Sequence, residues 1–244
     1  MNILSEILSS LDFEVPVRSV LVGAHWTVVC SRQCGLASTV IGDKPHGHER
    51  VRDVGCLHQK SAQELAEYSL SDNLLEASIG LAAINSLLQI DSQGMVEVNA
   101  SEVLAEYGRD RKVAIVGHFP FIPSLRQVAG ELWVIEQHPI EGEFLAEDAV
   151  GIIPKADIVA LTGTTLINHT LDGLLALCRR DALVMILGPT TPISPVLFHY
   201  GVTFISGARV INEEAVMHTV GQGAIFPQVE GVRLLTLSKS REFV

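Results

Sequence analysis

The sequence is short of positive charge. Its 17 lysines and arginines stand against 28 acidic residues, a net charge of −11 over 244 residues. A surface of that sign repels phosphate backbones, so nucleic acid is not expected as a partner. The chain also lacks an apolar run of the roughly 18 residues that a membrane-spanning helix requires, so no membrane partner is expected. Residues Met1–Leu11 carry Glu6 and no Lys or Arg. They read as a short amphipathic helix and not as a signal peptide. Four cysteines in a chain of this size do not suggest a disulfide scaffold, and the expected compartment is cytoplasmic. Three catalytic signatures are missing as well: the G-x-S-x-G elbow, the phosphate-binding P-loop and the H-E-x-x-H zinc helix. The motifs therefore leave open whether the chain is an enzyme.

What is present is apolar. Hydrophobic residues make up 48% of the chain and charged residues 18%, and mean hydropathy is +0.33. This is the composition of a globular protein and not of a disordered one. The length suits one large domain or two small ones.

The pattern changes near residue 110. Before it, Val17–Cys30 and Gly35–Ile41 read as a hairpin, followed by a loop over Gly42–Lys60 and then two helices. Ser61 with Glu64 matches a capping box at the start of the first helix, and Asp72 or Asn73 caps the second, which runs to about Leu88. After Arg111, apolar runs recur at Val113–Val116, Leu132–Ile135, Ile158–Leu161, Leu183–Leu187 and Val202–Ile205, with Val232–Leu237 as an edge-strand candidate. They are continuous and do not alternate, which fits parallel strands buried on both faces. Helices are expected at Ser124–Val128, Leu166–Arg179, Pro195–His199 and Asn212–Val220. The fold class is therefore α/β: a Rossmann-like parallel-sheet domain over 106–244, preceded by a smaller α+β domain over 1–105.

In an open α/β sheet, ligands bind beyond the carboxyl ends of the strands. Those ends carry Gly117-His118-Phe119-Pro120, Glu136-Gln137, Thr162-Gly163-Thr164-Thr165 with Asn168, Gly188-Pro189-Thr190, and Ser206-Gly207. Small, rigid and hydroxyl-bearing residues replace Val and Leu there. At a helix start, Thr164 and Thr165 would set unpaired N–H groups and two hydroxyls against a carboxylate or phosphate. Equally, Thr164 is simply the helix cap. Asn168, about one turn on, can donate and accept. Glu136 ends the second strand near the spacing at which Rossmann proteins set an acid on a ribose, or is a solvated strand end. Gly-His-Phe-Pro is not G-x-G-x-x-G, so a dinucleotide is not expected. Pro189, Pro192 and Pro195 stiffen the fourth loop.

Thiolate and imidazole donors raise a metal reading: Cys30 with Cys34, Cys56 with His58, and His46 with His48. None of these has zinc-knuckle spacing. His118 and His169, beside strand ends, are the stronger candidates for site chemistry, although a lone histidine is more often structural.

Together, Val116-Gly117-His118-Phe119-Pro120-Phe121, Ala156-Asp157-Ile158, Thr162-Gly163-Thr164-Thr165-Leu166-Ile167-Asn168 and Leu187-Gly188-Pro189-Thr190-Thr191-Pro192 resemble one family. It comprises uncharacterised prokaryotic proteins labelled "putative heavy-metal chelation". Val22-Gly23, Trp26-Thr27, Gly35-Leu36-Ala37 and Gly80-Leu81-Ala82-Ala83-Ile84-Asn85 extend the resemblance through the first half. It implies an enolase N-terminal-like domain joined to a Rossmann-like domain, with the proposed active site in the interdomain cleft. It maps Gly117, Glu136, Thr164, Thr165, Asn168 and the Gly188–Pro192 loop onto that cleft, and adds Asn85 from the first domain. Strand-end position adds His118 and Phe119 to the ligand-binding candidates. The cysteine pair and His46/His48 lie outside the pattern.

Three readings follow: a binder of a metal, a metal complex or a small chelating molecule; a small-molecule enzyme using an adenosine-type cofactor on Glu136; or a non-catalytic regulatory or interaction protein. Any cofactor is unspecified, with a transition metal as the candidate that the family label supplies. The apolar composition points to a homo-oligomer. Light scattering on the purified protein should return a dimer or larger, and a clean monomer refutes this.

Overall fold

The computed structural model describes residues 2–11, 14–42, 50–89, 95–96 and 99–239. His46 and His48 lie outside the described residues.

The first half opens with helix α1 (Ile3–Ser9), whose Asn2 side chain accepts from Ser5 N–H. Strands β1 (Ser19–Val22), β2 (Trp26–Cys30) and β3 (Cys34–Ser38) then form an antiparallel sheet in that order. The expected single strand Val17–Cys30 is thus two strands, because the chain reverses at Gly23, whose N–H meets Trp26 O. Two helices follow, α2 (Ala62–Ala66) and α3 (Leu74–Leu87). Ser61 and Glu64 make both halves of the expected capping box. Asn73, not Asp72, caps α3, accepting from Leu75 and Glu76 N–H. Helix α3 is buried on nearly every side, which is why its apolar residues show no stripe.

The second half builds a large sheet from β4 (Met95–Val96), β5 (Lys112–Val116), β6 (Glu131–Glu136), β7 (Phe144–Leu145), β8 (Ile158–Thr162), β9 (Leu183–Leu187), β10 (Phe204–Val210) and β11 (Val232–Ser238). Its spatial order is β4-β11-β10-β9-β8-β5-β6-β7. The six strands from β10 to β7 are parallel; β11 pairs antiparallel with β10, and β4 pairs antiparallel with β11 and so runs with the parallel set. Counted along the chain, the parallel strands fall in the order 3-2-1-4-5-6, the doubly wound arrangement, with its switch point between β5 and β8. Strand β11, read from the sequence as an edge strand, is not the edge, because Met95–Val96 pairs outside it. The fifth strand end at Ser206-Gly207 is not an end either. Strand β10 continues to Val210, and Ser206 Oγ lies 2.7 Å from Thr236 Oγ1 on β11.

Helices α4 (Ala100–Tyr107), α5 (Ile122–Leu125), α6 (Ala149–Ile152), α7 (Leu171–Leu177) and α8 (Glu213–Gly221) complete the chain. Alternate residues of the parallel strands feed two cores, as the period of two requires. Val113, Ile115, Ile158, Ala160, Met185 and Phe204 meet α4 and α5 on one face. Ala114, Val159, Leu161, Val184 and Ile186 join α1, α2 and α3 in the larger core on the other. The small sheet lies between α3 and α8: Val29 and Ala37 face the first, Val28 and Leu36 the second.

The expected helix over Leu166–Arg179 is broken. A 3-10 turn, Gly163–Leu166, is followed by His169 in the left-handed region at φ 59°, and only then does α7 begin. Pro195–Tyr200 is likewise a 3-10 turn.

One buried charge anchors α3. Glu76, 3% exposed, accepts from Ser71 Oγ at 2.7 Å, Arg52 N–H at 2.7 Å and Arg52 Nε at 2.9 Å. Burial pushes its carboxyl up, but the Ser71 and Arg52 hydrogen bonds together outweigh that and hold it below its ordinary value of 4.5. A depressed carboxyl stabilises the fold above its unfolded pKa, and that contribution is lost as pH falls through the folded one. Glu76→Gln should therefore cost about 1–3 kcal/mol at pH 7. The gap to wild type should close on acidification below 4.5. Urea unfolding at both pH values measures it, and a gap that persists in acid refutes it.

Candidate functional site

A cleft of about 560 Å³ opens where the ends of β5, β8, β6 and β9 meet the small sheet. Gly117, His118, Phe119, Glu136, Thr164, Thr165, Asn168, Gly188, Pro189 and Thr190 all line it. Two of the strand ends are shaped by backbone conformation. Gly117 and Gly188, directly after β5 and β9, sit at φ 113° and 108°, a region closed to other residues without strain. A Cβ on Gly117 would also stand 2.9 Å from Thr162 Cβ. The glycines let the chain turn sharply off each strand and keep the cleft floor open.

The threonines are arranged differently from the helix-start reading. Thr162, not Thr164, is the cap. Its Oγ1 accepts from Thr164 N–H at 3.4 Å and from Thr164 Oγ1 at 3.0 Å, and keeps its own proton to donate. Thr165 is 2% exposed and its hydroxyl donates to Thr162 O at 2.6 Å. A four-residue 3-10 turn offers little dipole, so an anion is not held here by a helix terminus. Asn168 Oδ1 accepts from Thr170 N–H at 3.3 Å and Thr170 Oγ1 at 2.7 Å, stabilising the turn that ends the segment.

Among the described residues lining the cleft, His118 and Glu136 are the two side chains of metal-ligating type. His118 Nδ1 lies 2.9 Å from Glu143 Oε1, and Glu143 Oε2 accepts from Ile140 N–H, so the imidazole is oriented by a carboxylate that is itself held. Glu136 turns one oxygen back to Gln137 N–H at 3.1 Å. His169 does not join them. Its Nε2 meets Ser71 O at 2.9 Å and it lines a separate hollow beside Asp72 and Asp172. Among the described residues no three His, Cys, Asp or Glu side chains converge in this cleft.

Asn85 belongs to the support of the site and not to its lining. It is buried, and its Nδ2 donates to Leu36 O at 2.9 Å and Thr190 O at 3.1 Å. Thr190 Oγ1 in turn accepts from Ser38 N–H at 2.9 Å and shares a hydrogen bond with Ser38 Oγ. These bonds fasten the small sheet onto the loop after β9.

Sequence reasoning missed the wall opposite the strand ends: Trp26, Ser38, Val40 and Leu74 from the first half, and Phe226-Pro227 from a 3-10 turn before β11. The Trp26 and Phe226 rings lie 5.3 Å apart. Trp26 belongs to a motif of the family resemblance, which does not place it at the site; no motif marks the others, and the folded juxtaposition brings them all to the cleft.

Doubly wound strand order, a cleft at the switch point and a lining of glycine, threonine and aromatic residues define a Rossmann-like α/β protein. The chain belongs to the DUF364 family, described as "putative heavy-metal chelation", whose profile matches residues 99–239. A companion profile, DUF4213, with the same description matches residues 5–88. The chain is 26% identical over 230 residues to an uncharacterised protein of Methanocaldococcus jannaschii, covering 89% of this chain and 86% of that one. Two solved structures from the DUF364 family, both of proteins with unknown function, share the fold. That from Desulfitobacterium hafniense is 26% identical, with a TM-score of 0.86, over 97% of this chain and 98% of that one. That from Pyrococcus horikoshii is 21% identical, with a TM-score of 0.82 and the same coverage.

Asn85→Ala should destabilise the protein by about 2–4 kcal/mol, since it leaves two buried carbonyls short of a donor. A chemical-denaturation midpoint unchanged within error refutes the supporting role.

Proposed function

We propose that the protein binds a small organic ligand, a metal-chelating molecule or its metal complex, in the cleft between its two halves. The observation that carries this reading is the mismatch between the cleft's size and its donor set. A cavity of about 560 Å³ is within the range of small-molecule sites, yet among the described residues that line it only His118 and Glu136 are of metal-ligating type. Two donors do not close a structural metal site. An ion seated here would bring most of its coordination with it, on an organic chelator. The apolar wall of Phe119, Val40, Leu74 and Phe226 suits the carbon skeleton of such a ligand. Thr162, Thr164 and Asn168 suit its polar groups. The family description supplies the metal; the geometry supports the organic part.

A second reading rests on strand order. Glu136 ends the second parallel strand, where doubly wound proteins hold a ribose. Phe119 stacks on Phe121 at 5.2 Å and α5 is a four-residue helix with no side-chain cap, so the pyrophosphate of a dinucleotide finds no cradle. An adenosine-type cofactor without that demand remains as the alternative, and makes the protein a small-molecule enzyme.

Native mass spectrometry with elemental analysis on protein purified without chelators separates the two. A bound organic mass carrying a stoichiometric transition metal, both lost together in Glu136→Gln or His118→Ala, is the expected result. A melting-temperature rise with adenosine compounds and no metal would transfer the site to the second reading. Neither signal would reject both.

A further inference from the structure

Cys30 and Cys34 are directly opposed at the closed end of the β2–β3 hairpin and are joined by a disulfide. Both are buried, on the face of the small sheet that α8 covers. The bond spans a sequence separation of four, so it closes too short a loop to remove much freedom from the unfolded chain. The turn does not depend on it. Gln33 N–H donates to Ser86 O at 3.2 Å, Gln33 Nε2 to Asn85 O at 3.1 Å and Leu88 O at 2.9 Å, and Arg32 Nη1 to Leu87 O at 2.8 Å. The C-terminal end of α3 thus holds the hairpin tip through hydrogen bonds that do not involve the sulfurs.

A third donor stands beside them. Glu213, in the first turn of α8, brings a carboxylate oxygen to within 4.8 Å of both sulfurs. Its oxygens also receive Arg18 Nη1 at 2.6 Å and Nη2 at 2.5 Å, while Arg18 Nε donates to Ser31 O at 2.9 Å. Arg18 and Glu213 are half exposed, so the sulfurs lie one side-chain layer below solvent.

We propose that reduction of the Cys30–Cys34 disulfide creates a site for a soft or borderline divalent cation of the zinc or cadmium class, ligated by both sulfurs and one Glu213 oxygen. This site lies apart from the cleft and does not rest on the cleft's reading. A dithiol reductant gives up two electrons and two protons and becomes a disulfide. Cys30 and Cys34 become thiols, and the cation displaces their two protons. The charges then close: two thiolates, one carboxylate, one divalent cation and the Arg18 guanidinium sum to zero. Without the cation the two sulfurs stay protonated, because two buried thiolates would leave two unbalanced negative charges; the cation therefore binds in competition with two protons. Thiolates select such cations over hard ones. Bonds of about 2.3 Å to a tetrahedral centre set two sulfurs about 3.8 Å apart, a separation that side-chain rotation reaches from the bonded pair. The oxidised pair offers no thiolate, so binding is gated by redox state.

The test uses the full chain with Cys56→Ser, which removes the exposed thiol. The remaining cysteine, Cys178, contributes little thiolate, since burial pushes its thiol up to about 11. The protein is reduced with a phosphine, which becomes a phosphine oxide by taking the oxygen of water as the two thiols form. It is then freed of reductant without air and titrated with Cd²⁺. The expected result is one cadmium per chain and an ultraviolet sulfur-to-cadmium charge-transfer band, both absent before reduction. Cys34→Ser should abolish the band, and Glu213→Gln should keep it but weaken affinity by about tenfold or more. Reduced protein that unfolds, or that stays folded and takes no cadmium, overturns the proposal. So does a band that survives Cys34→Ser. If Cys34→Ser does not fold, Glu213→Gln decides, and an unchanged affinity rejects the three-ligand site.

Discussion

The cleft depends on a clasp between the free edge of a small sheet and a loop of a large one. Strand β3 ends the three-strand order and so has an unpaired edge. In place of another strand it meets Thr190: Ser38 N–H donates to the Thr190 hydroxyl, and Asn85 from α3 donates to Thr190 O and Leu36 O. All of these groups are at least half-buried, so each would be costly to leave unpaired. The chain leaves β9 through Gly188 with positive φ, and two residues on Thr190 meets Ser38 of β3. One set of hydrogen bonds thereby covers a sheet edge and sets the far wall of the cleft.

The doubly wound order places that wall to advantage. At the switch point the loops after β5 and β8 diverge, and a crevice exists before any side chain is considered. In this chain the loop after β5 carries Phe119 and Phe121 stacked together where dinucleotide-binding relatives of the fold carry glycine. The crevice keeps its position but loses its phosphate cradle. Its floor becomes aromatic and hydroxyl-bearing.

The parallel strands were legible because strands buried on both faces must be continuous apolar runs, and Val113–Val116, Ile158–Leu161 and Leu183–Leu187 are such runs. Helix caps at Ser61 and Asn73 were legible because capping is local chemistry. The strand-end residues from Gly117 to Thr190 could be gathered because fold class alone says where strand ends go. Three things were hidden. The broken helix after Thr165 depends on Asn168 bonding back to Thr170 and on His169 adopting a left-handed conformation, which no periodicity reports. The role of Asn85 depends on carbonyls at Leu36 and Thr190, distant in sequence. The Cys30–Cys34 disulfide follows from a strand register that places the two directly opposite, which cysteine count, informative only about a disulfide scaffold, does not report.

The two outermost strands on one side of the large sheet come from distant parts of the chain. Met95–Val96 pairs with Thr236 and Leu237, and those two residues belong to β11, about 140 positions further along the chain. The family profile for the second half begins only at residue 99. A fragment cut to that limit would drop β4 and leave the outer hydrogen-bonding groups of β11 open to solvent at Thr236 and Leu237. An uncovered strand of this kind recruits strands from other molecules. Self-association of such a fragment would then report a missing edge guard, and not the quaternary structure of the intact protein.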